Sequence, residues 1–493
     1  YPNLIFLFIA YHLFSPLAFS PKIMSKMVAV TIKESSLVKP AEATWTGRMP
    51  LSEFDMTGTI THIDTLYFYN KPTTSVPQND VALVNLLKDS LSRTLVAFYP
   101  LAGRLHPIGG GRLELDCNGA GVQFNEAHAE TTSLDELLGL FGSDVSGTSR
   151  CSGTEFLPLV PAVDYGRLGI NEWPLLLVQL TRFSCGGICL GFNNSHVAAD
   201  GLAAMHFFHE WARVARGQGI GTLPVLDRRV LRAGLPPLAG QPAFDPAQFH
   251  RPPVLLPDAE CSGNNGRETA ATRLRLTKPQ VQILKDMANK NIRTTRPYTT
   301  YETLTAHTWR CACKARKLNP DQPTTVDICV DARRRINPPL PDAYFGDAIF
   351  DVKATSLSGD LVRKGLGYAA GKVREAVAKV DSKFLWSAIE YLKNQPDMTK
   401  FLDFNDYDDD REPYFGIPNL VVTSWLRLPM LGLDFGFGKE VHMDTTFEFD
   451  GVVTLSESQA AGDVVVSICL RSDHIHAFNR FFYDDISMHG TSE

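Results

Sequence analysis

Basic residues are not in excess in this 493-residue chain: 48 Lys and Arg stand against 54 Asp and Glu, for a net charge of −6. That balance argues against nucleic acid and other polyanions as general partners. The nine cysteines are scattered, with no C-x-x-C and a single C-x-C pair, Cys311 and Cys313, on what reads as a helix. They fit reduced thiols in a cytosolic protein rather than a disulfide framework or a zinc ribbon. No internal repeat of short period appears, which excludes a solenoid. Apolar runs long enough to span a membrane are missing except near the start, where Leu4 to Phe19 resembles a signal peptide or short anchor but lacks a basic n-region. We read residues 1–26 as an upstream extension rather than a targeting segment, and expect a cytoplasmic, monomeric protein with no membrane partner.

What the chain does have is apolar mass: 44% hydrophobic and 10% aromatic residues. At this length one core does not suffice, so two domains are expected. From Val30 to about Gly217 strand-like and helical runs alternate. Thr65 to Tyr69 reads as a strand, and Leu83, Leu87 and Leu91 with Val84 have helical spacing. Leu175 to Leu180 and Gly187 to Phe192 are the next strand candidates, followed by a helix face of Leu202, Met205, Phe208 and Trp211. Residues 217–266 hold eight of the 31 prolines and no clear period, and read as a crossing segment between an N-terminal domain (27–216) and a C-terminal one (267–493). Beyond it, Thr299-x-x-Glu302 is a capping box, and Val464 to Leu470 reads as a buried strand before a last helix.

Chemistry concentrates at His196 and Asp200 in Asn194-Ser195-His196-Val197-Ala198-Ala199-Asp200-Gly201. The strand before and the helix after put His196 on a turn, where an imidazole is exposed rather than packed. A histidine titrates near neutrality and can take the proton of an attacking hydroxyl or amine. Asp200 could orient that ring as in a triad, but beside Gly201 a structural role fits better. The bland alternative for His196 is a hydrogen-bonded core histidine. His206 and His209 could join His196 and Asp200 as the zinc site of a metal hydrolase, but they lie on a helix running away from the turn.

A second signature, Asp434-Phe435-Gly436-Phe437-Gly438, follows over two hundred residues later. In this order, HxxxD and then DFGFG, the chain resembles the plant BAHD family of acyl-CoA-dependent acyltransferases. Tyr99 to Leu105, Ile336 to Pro341 and the start Met27 to Ser35 match family segments as well. The resemblance covers Met27 to Ile486. It implies an α/β fold of two chloramphenicol-acetyltransferase-like domains with a channel between them, and no metal or redox cofactor, acyl-CoA being a co-substrate. His196 would be the general base of a direct transfer through a ternary complex. Asp200 would turn away to pair with Arg333 or Arg335, and Thr423 and Trp425, in the segment Asn419 to Trp425, would line the site and supply oxyanion donors. Asp434, Gly436 and Gly438 would form a supporting turn. His62 matches a position lining the acceptor pocket in the hydroxycinnamoyltransferase branch. Two departures stand out: Phe437 where the family usually has Trp, and Asp347, in Tyr344-Phe345-Gly346-Asp347, where it usually has Asn.

For the acceptor, the resemblance is strongest to the spermidine hydroxycinnamoyltransferase branch. No Arg stands where shikimate-using relatives pair with a carboxylate. Between Asp403 and Glu412 there are six acids, including Asp406, Asp408, Asp409 and Asp410, against Arg411 alone. Such a run attracts a polycation, unless it is only a solvated loop. Spermidine is therefore the expected acceptor, with shikimate, quinate or another alcohol as the alternative. A catalytically silent CoA-ester binder is the reading from a different class.

Overall fold

Extended stretches of three to nine residues fold into two six-stranded sheets, and amphipathic stretches form helices on them. The computed structural model describes residues 28–57, 60–72, 80–141, 154–238, 244–250, 252–256, 268–290, 296–402, 416–446, 449–458, 460 and 462–490. The apolar run Leu4 to Phe19 and the acids Asp403 to Glu412 lie outside the described residues.

The first sheet runs β1-β6-β7-β8-β3-β13. It is built from β1 (Thr31–Val38), β3 (His62–Tyr69), β6 (Val122–Ala129), β7 (Leu176–Phe183), β8 (Ile188–Ser195) and β13 (His442–Asp444). The second runs β11-β10-β12-β14-β15-β9. Its strands are β9 (Thr269–Leu276), β10 (Pro323–Asp331), β11 (Ile349–Leu357), β12 (Leu420–Ser424), β14 (Val452–Glu457) and β15 (Val464–Arg471). A small sheet joins β2 (Arg48–Pro50), β5 (Arg112–Asp116) and β4 (Arg104–Gly109). On the first sheet, α1 (Asp80–Ala97) and α3 (Gly201–Ala215) pack together over Tyr67 and Tyr69, while α2 (Leu134–Phe141) packs in a separate cluster with Leu66 and Phe68; Leu83, Leu87, Leu91, Met205, Phe208 and Trp211 are buried between α1, α3 and the sheet. The second sheet carries α4 (Lys278–Asn289), α5 (Thr300–Ala315), α6 (Ser358–Arg363), α7 (Leu366–Ala378), α8 (Ser382–Lys393) and α10 (Ser472–Gly490), while the one-turn α9 (Thr399–Leu402) adds Phe401 to the first core. The Thr299 box caps α5 as expected, and a second box, Thr277 with Gln280, caps α4.

The chain does not divide between the sheets where its sequence suggests. β13 comes from the second half yet pairs antiparallel with β3, His442 opposite Phe68 and Asp444 opposite Leu66. At the end of β13 the Asp444 carboxylate meets Arg273 of β9 at 2.7 Å, both buried, so a three-residue strand of one sheet is ion-paired to the other. Thr446 donates its backbone N–H and its hydroxyl to Asp64 of β3, at 2.8 and 2.9 Å. The DFGFG segment, expected as part of the C-terminal domain, also packs on the first core: Phe435 lies against Trp211 and Phe437 against Tyr69, each at 4.9 Å between ring centroids.

Candidate active site

All eight residues of β8 are buried, and Ser195, its last, pairs with His62 of β3. The backbone N–H of His196 then reaches the Thr61 carbonyl at 3.3 Å, and Val197, Ala198 and Ala199 pack inward, so the turn is pinned on both sides while the His196 side chain keeps 27% of its surface. Asp200 closes the turn as the N-cap of α3, its Oδ1 accepting from the Ala203 N–H at 3.0 Å. The same carboxylate takes both arms of Arg333, at 2.7 and 2.9 Å, and the Ala348 N–H at 3.1 Å. Burial opposes its charge, but Arg333 and these donors outweigh that and hold the carboxyl below its usual range. Asp200 has no hydrogen bond to His196, and its partner is Arg333; Arg335 instead donates to the carbonyls of Val377 and Val380.

The side chain that orients His196 is Asp347. Its Oδ2 lies 2.8 Å from His196 Nδ1, and its Oδ1 accepts the Ile349 N–H at 2.8 Å, with only 3% of the side chain exposed. Nε2 makes no hydrogen bond among the described residues. Burial works against a charged imidazole, but the charge and hydrogen bond of Asp347, helped by Asp200 and Asp351, overcome it and raise His196 to about 9. Burial likewise pushes the Asp347 carboxyl up, and the imidazolium pulls it back.

Behind the turn sits a buried ion pair that sequence reasoning missed. Arg228, from the proline-rich crossing segment, meets Asp55 at 2.6 Å and donates to the carbonyls of Val197 and Ala198. Asp55 in turn accepts the Asp347 N–H at 2.8 Å. Arg228 stands beside Arg229 and near Arg232 in a stretch without period, and nothing local marks which of them is buried.

From the second sheet, Val326, Ile328 and Val330 of β10 face the helices, so Asp327 and Cys329 face the other way, with Asp351 and Lys353 of β11 and Thr423 of β12 beside them. Thr423 Oγ1 is 3.6 Å from Cys329 Sγ. Trp425 is half-buried and packs on the first core, bridging the halves. Neither is hydrogen-bonded to His196 among the described residues, so no oxyanion donor is fixed by a contact. Neither carboxylate oxygen of Asp327 has a hydrogen-bond partner there, and burial pushes that carboxyl up to about 7.

His62 adjoins His196 along the sheet, yet its ring nitrogens are both engaged inside the protein, by the Tyr165 hydroxyl and the Pro174 carbonyl at 2.7 Å each. Such a ring can form a wall of a pocket but has no nitrogen left for an acceptor. Asp406, Asp408, Asp409 and Asp410 lie outside the described residues. In Asp434 to Gly438 the Asp434 Oδ1 accepts the N–H groups of Gly436 and Gly438 at 2.7 and 3.0 Å. Both glycines have positive φ, near 105°, a conformation that other residues adopt only with strain. His206 and His209 are each bound to a carbonyl, of Thr222 and Pro429, and do not converge with His196.

Set beside known proteins, residues 28–485 match the Transferase family. A hydroxycinnamoyl-CoA:piscidic acid hydroxycinnamoyltransferase of Actaea racemosa is 38% identical over 464 residues, 93% of this chain and all of that one. A shikimate O-hydroxycinnamoyltransferase of Nicotiana tabacum is 37% identical, over 92% of this chain and 99% of its own. Among solved structures, vinorine synthase superposes with a TM-score of 0.65 over 91% of this chain and 96% of its own, at 24% identity, a likeness of fold.

Proposed function

The chain belongs to the Transferase family, the BAHD acyltransferases, and from that premise we propose that it moves a hydroxycinnamoyl group from coenzyme A to the hydroxyl of a small-molecule acceptor. The observation that carries this reading is His196: a ring held at Nδ1 by a buried carboxylate, with Nε2 unbonded and facing out of a pinned turn. As the acceptor oxygen attacks the thioester carbonyl, its proton passes to Nε2. The tetrahedral adduct then collapses, the C–S bond breaks, and the departing thiolate takes the proton back. The histidine ends as it began, no acyl-enzyme forms, and no cofactor enters the scheme. Asp200, saturated by Arg333 and two backbone donors, keeps the turn in shape and takes no proton.

The relatives named for piscidic acid and for shikimate O-acylation support a hydroxyl acceptor over the spermidine expected from sequence. An amine is the second reading, favoured by Asp327 and Asp351 on the sheet face opposite the helices, two buried acids beside the single cation Lys353. Purified protein incubated with p-coumaroyl- or caffeoyl-CoA and a panel of piscidic acid, shikimate, quinate, spermidine and putrescine decides between them. Free thiol is followed and products are weighed by mass spectrometry. Ester formation on a hydroxy acid is expected; preferential amide formation on spermidine would reverse the choice, and no thiol release with any acceptor would remove the transferase reading.

A further inference from the structure

A histidine base works only if one nitrogen holds a proton and the other does not, and the protein must choose which. Here the choice is made by the segment Tyr344 to Ile349, which crosses from the second half onto the HxxxD turn. Gly346 accepts from Arg333, and Ala348 donates to Asp200. Between them Asp347 is fixed at three points: its N–H on Asp55, its Oδ1 on the Ile349 N–H, and its Oδ2 on His196 Nδ1. A carboxylate accepts and cannot donate, so the proton of that bond belongs to Nδ1 and the Nε2 lone pair is left for the acceptor. An amide in the same place has no such constraint, because it can turn either its oxygen or its N–H to Nδ1 and carries no charge to pair with an imidazolium.

We propose that Asp347 is a positioning residue of the transfer step, fixing His196 with its proton on Nδ1 and pairing with the imidazolium formed when Nε2 takes the acceptor's proton. This rests on the acyl-transfer reading of the site. It makes His196 a stronger base than an imidazole on a neutral partner and, in the free enzyme, keeps that base protonated to higher pH. The charged groups around the ring are Asp347, Asp200 with its Arg333, Asp351 of β11 and, behind the turn, Arg228 with its Asp55; each cation is matched by its own acid, so the effect of Asp347 is not cancelled.

Two measurements on the full chain test it. In pH profiles of kcat/KM, the wild type should lose activity below about 9. For Asp347→Asn that limb should move down by at least one pH unit, the plateau should fall on the order of 10-fold as the base weakens, and the acyl-CoA KM should not change. A side chain that merely filled space would leave the limb in place, so superimposable profiles overturn the proposal. The second needs no turnover: nitrogen chemical shifts of labelled histidine, with His196 assigned by its absence in His196→Gln. They should show Nδ1 protonated at high pH and a titration well above that of a free imidazole. A wild-type His196 titrating near 6.5, or carrying its proton on Nε2, sinks the proposal even if Asp347→Asn does not fold. Correct nitrogen shifts without transfer to any acceptor would instead count against the acyltransferase reading and leave the His196–Asp347 pairing intact.

Discussion

Asp200 and Asp347 are both buried aspartates within reach of the HxxxD turn, and their partners give them different tasks. Asp200 spends its oxygens on Arg333 and on the Ala203 and Ala348 amides. Asp200→Asn therefore leaves buried Arg333 with only the half-exposed Asp331 in contact as a counter-charge, and breaking such a buried pair costs about 3–5 kcal/mol. The melting temperature should fall together with the rate; a variant that is dead but as stable as wild type would argue for a direct catalytic role. His196→Ala removes a largely buried ring and leaves Asp347 without its partner, so near neutral pH its melting temperature should fall, while turnover of the folded variant falls about 100-fold to 10,000-fold. Activity within a few-fold of wild type would take His196 out of the mechanism. The His196 and Asp200 pair was legible in sequence because its spacing is local and a second motif supported it. Asp347 was visible only as a departure from the family: its contact with His196 joins residues 151 positions apart, which no periodicity records. Arg333 and Arg335 could not be told apart, since both stand in one arginine run and only burial assigns the bidentate partner.

Strands and helices whose signal is local match the sequence reading: the leucine face of α1, the capping box of α5 and the β-branched run of β15. β13 escaped because His442–Asp444 is too short for a period and owes its extended form to pairing with β3. Its weak intrinsic signal makes its ion pair matter more. Burial opposes the charge of Asp444, and Arg273 holds its carboxyl below the usual range. Arg273→Ala should destabilise by about 3–5 kcal/mol, seen as a lower urea midpoint. Arg273→Met with Asp444→Leu, which removes both charges and keeps volume, should recover most of that loss. A single variant as stable as wild type would mean that Asp444 is served by another partner.

For the whole molecule, pH acts on stability from two sides. His307 is buried between α5 and α10 with its Nε2 on the Phe482 carbonyl; burial lowers it to about 4, opposed by that bond and by Asp485. The unfolded chain therefore binds a proton there that the folded one refuses. Stability should fall as pH drops from about 6.5 to 4, by about 1.4 kcal/mol per pH unit for one such group. His196 has the reverse sign: raised to about 9, it stabilises fully below 6.5, and that contribution is lost as pH climbs through 9. Compared with wild type over pH 4 to 10, His307→Gln should lose less stability on the acid side and Asp347→Asn less on the alkaline side, read from denaturation midpoints. An acid limb unchanged in His307→Gln would place the acid sensitivity elsewhere.

The clasp made by β13 bears on how such a protein can be rebuilt. Its two sheets are separate in space, but the chain that forms them is not modular, because residues 442–444 return to the sheet that residues 62–69 began. A hybrid joined to a relative within residues 217–266 would lay a foreign β13 on the resident β3. Its success would be decided at the register of His442 on Phe68 and at the bonds from Thr446 to Asp64, far from the junction itself. Recombination in this architecture is thus governed by a seam of three residues, and the seam, rather than the linker, marks where one half can be exchanged for another.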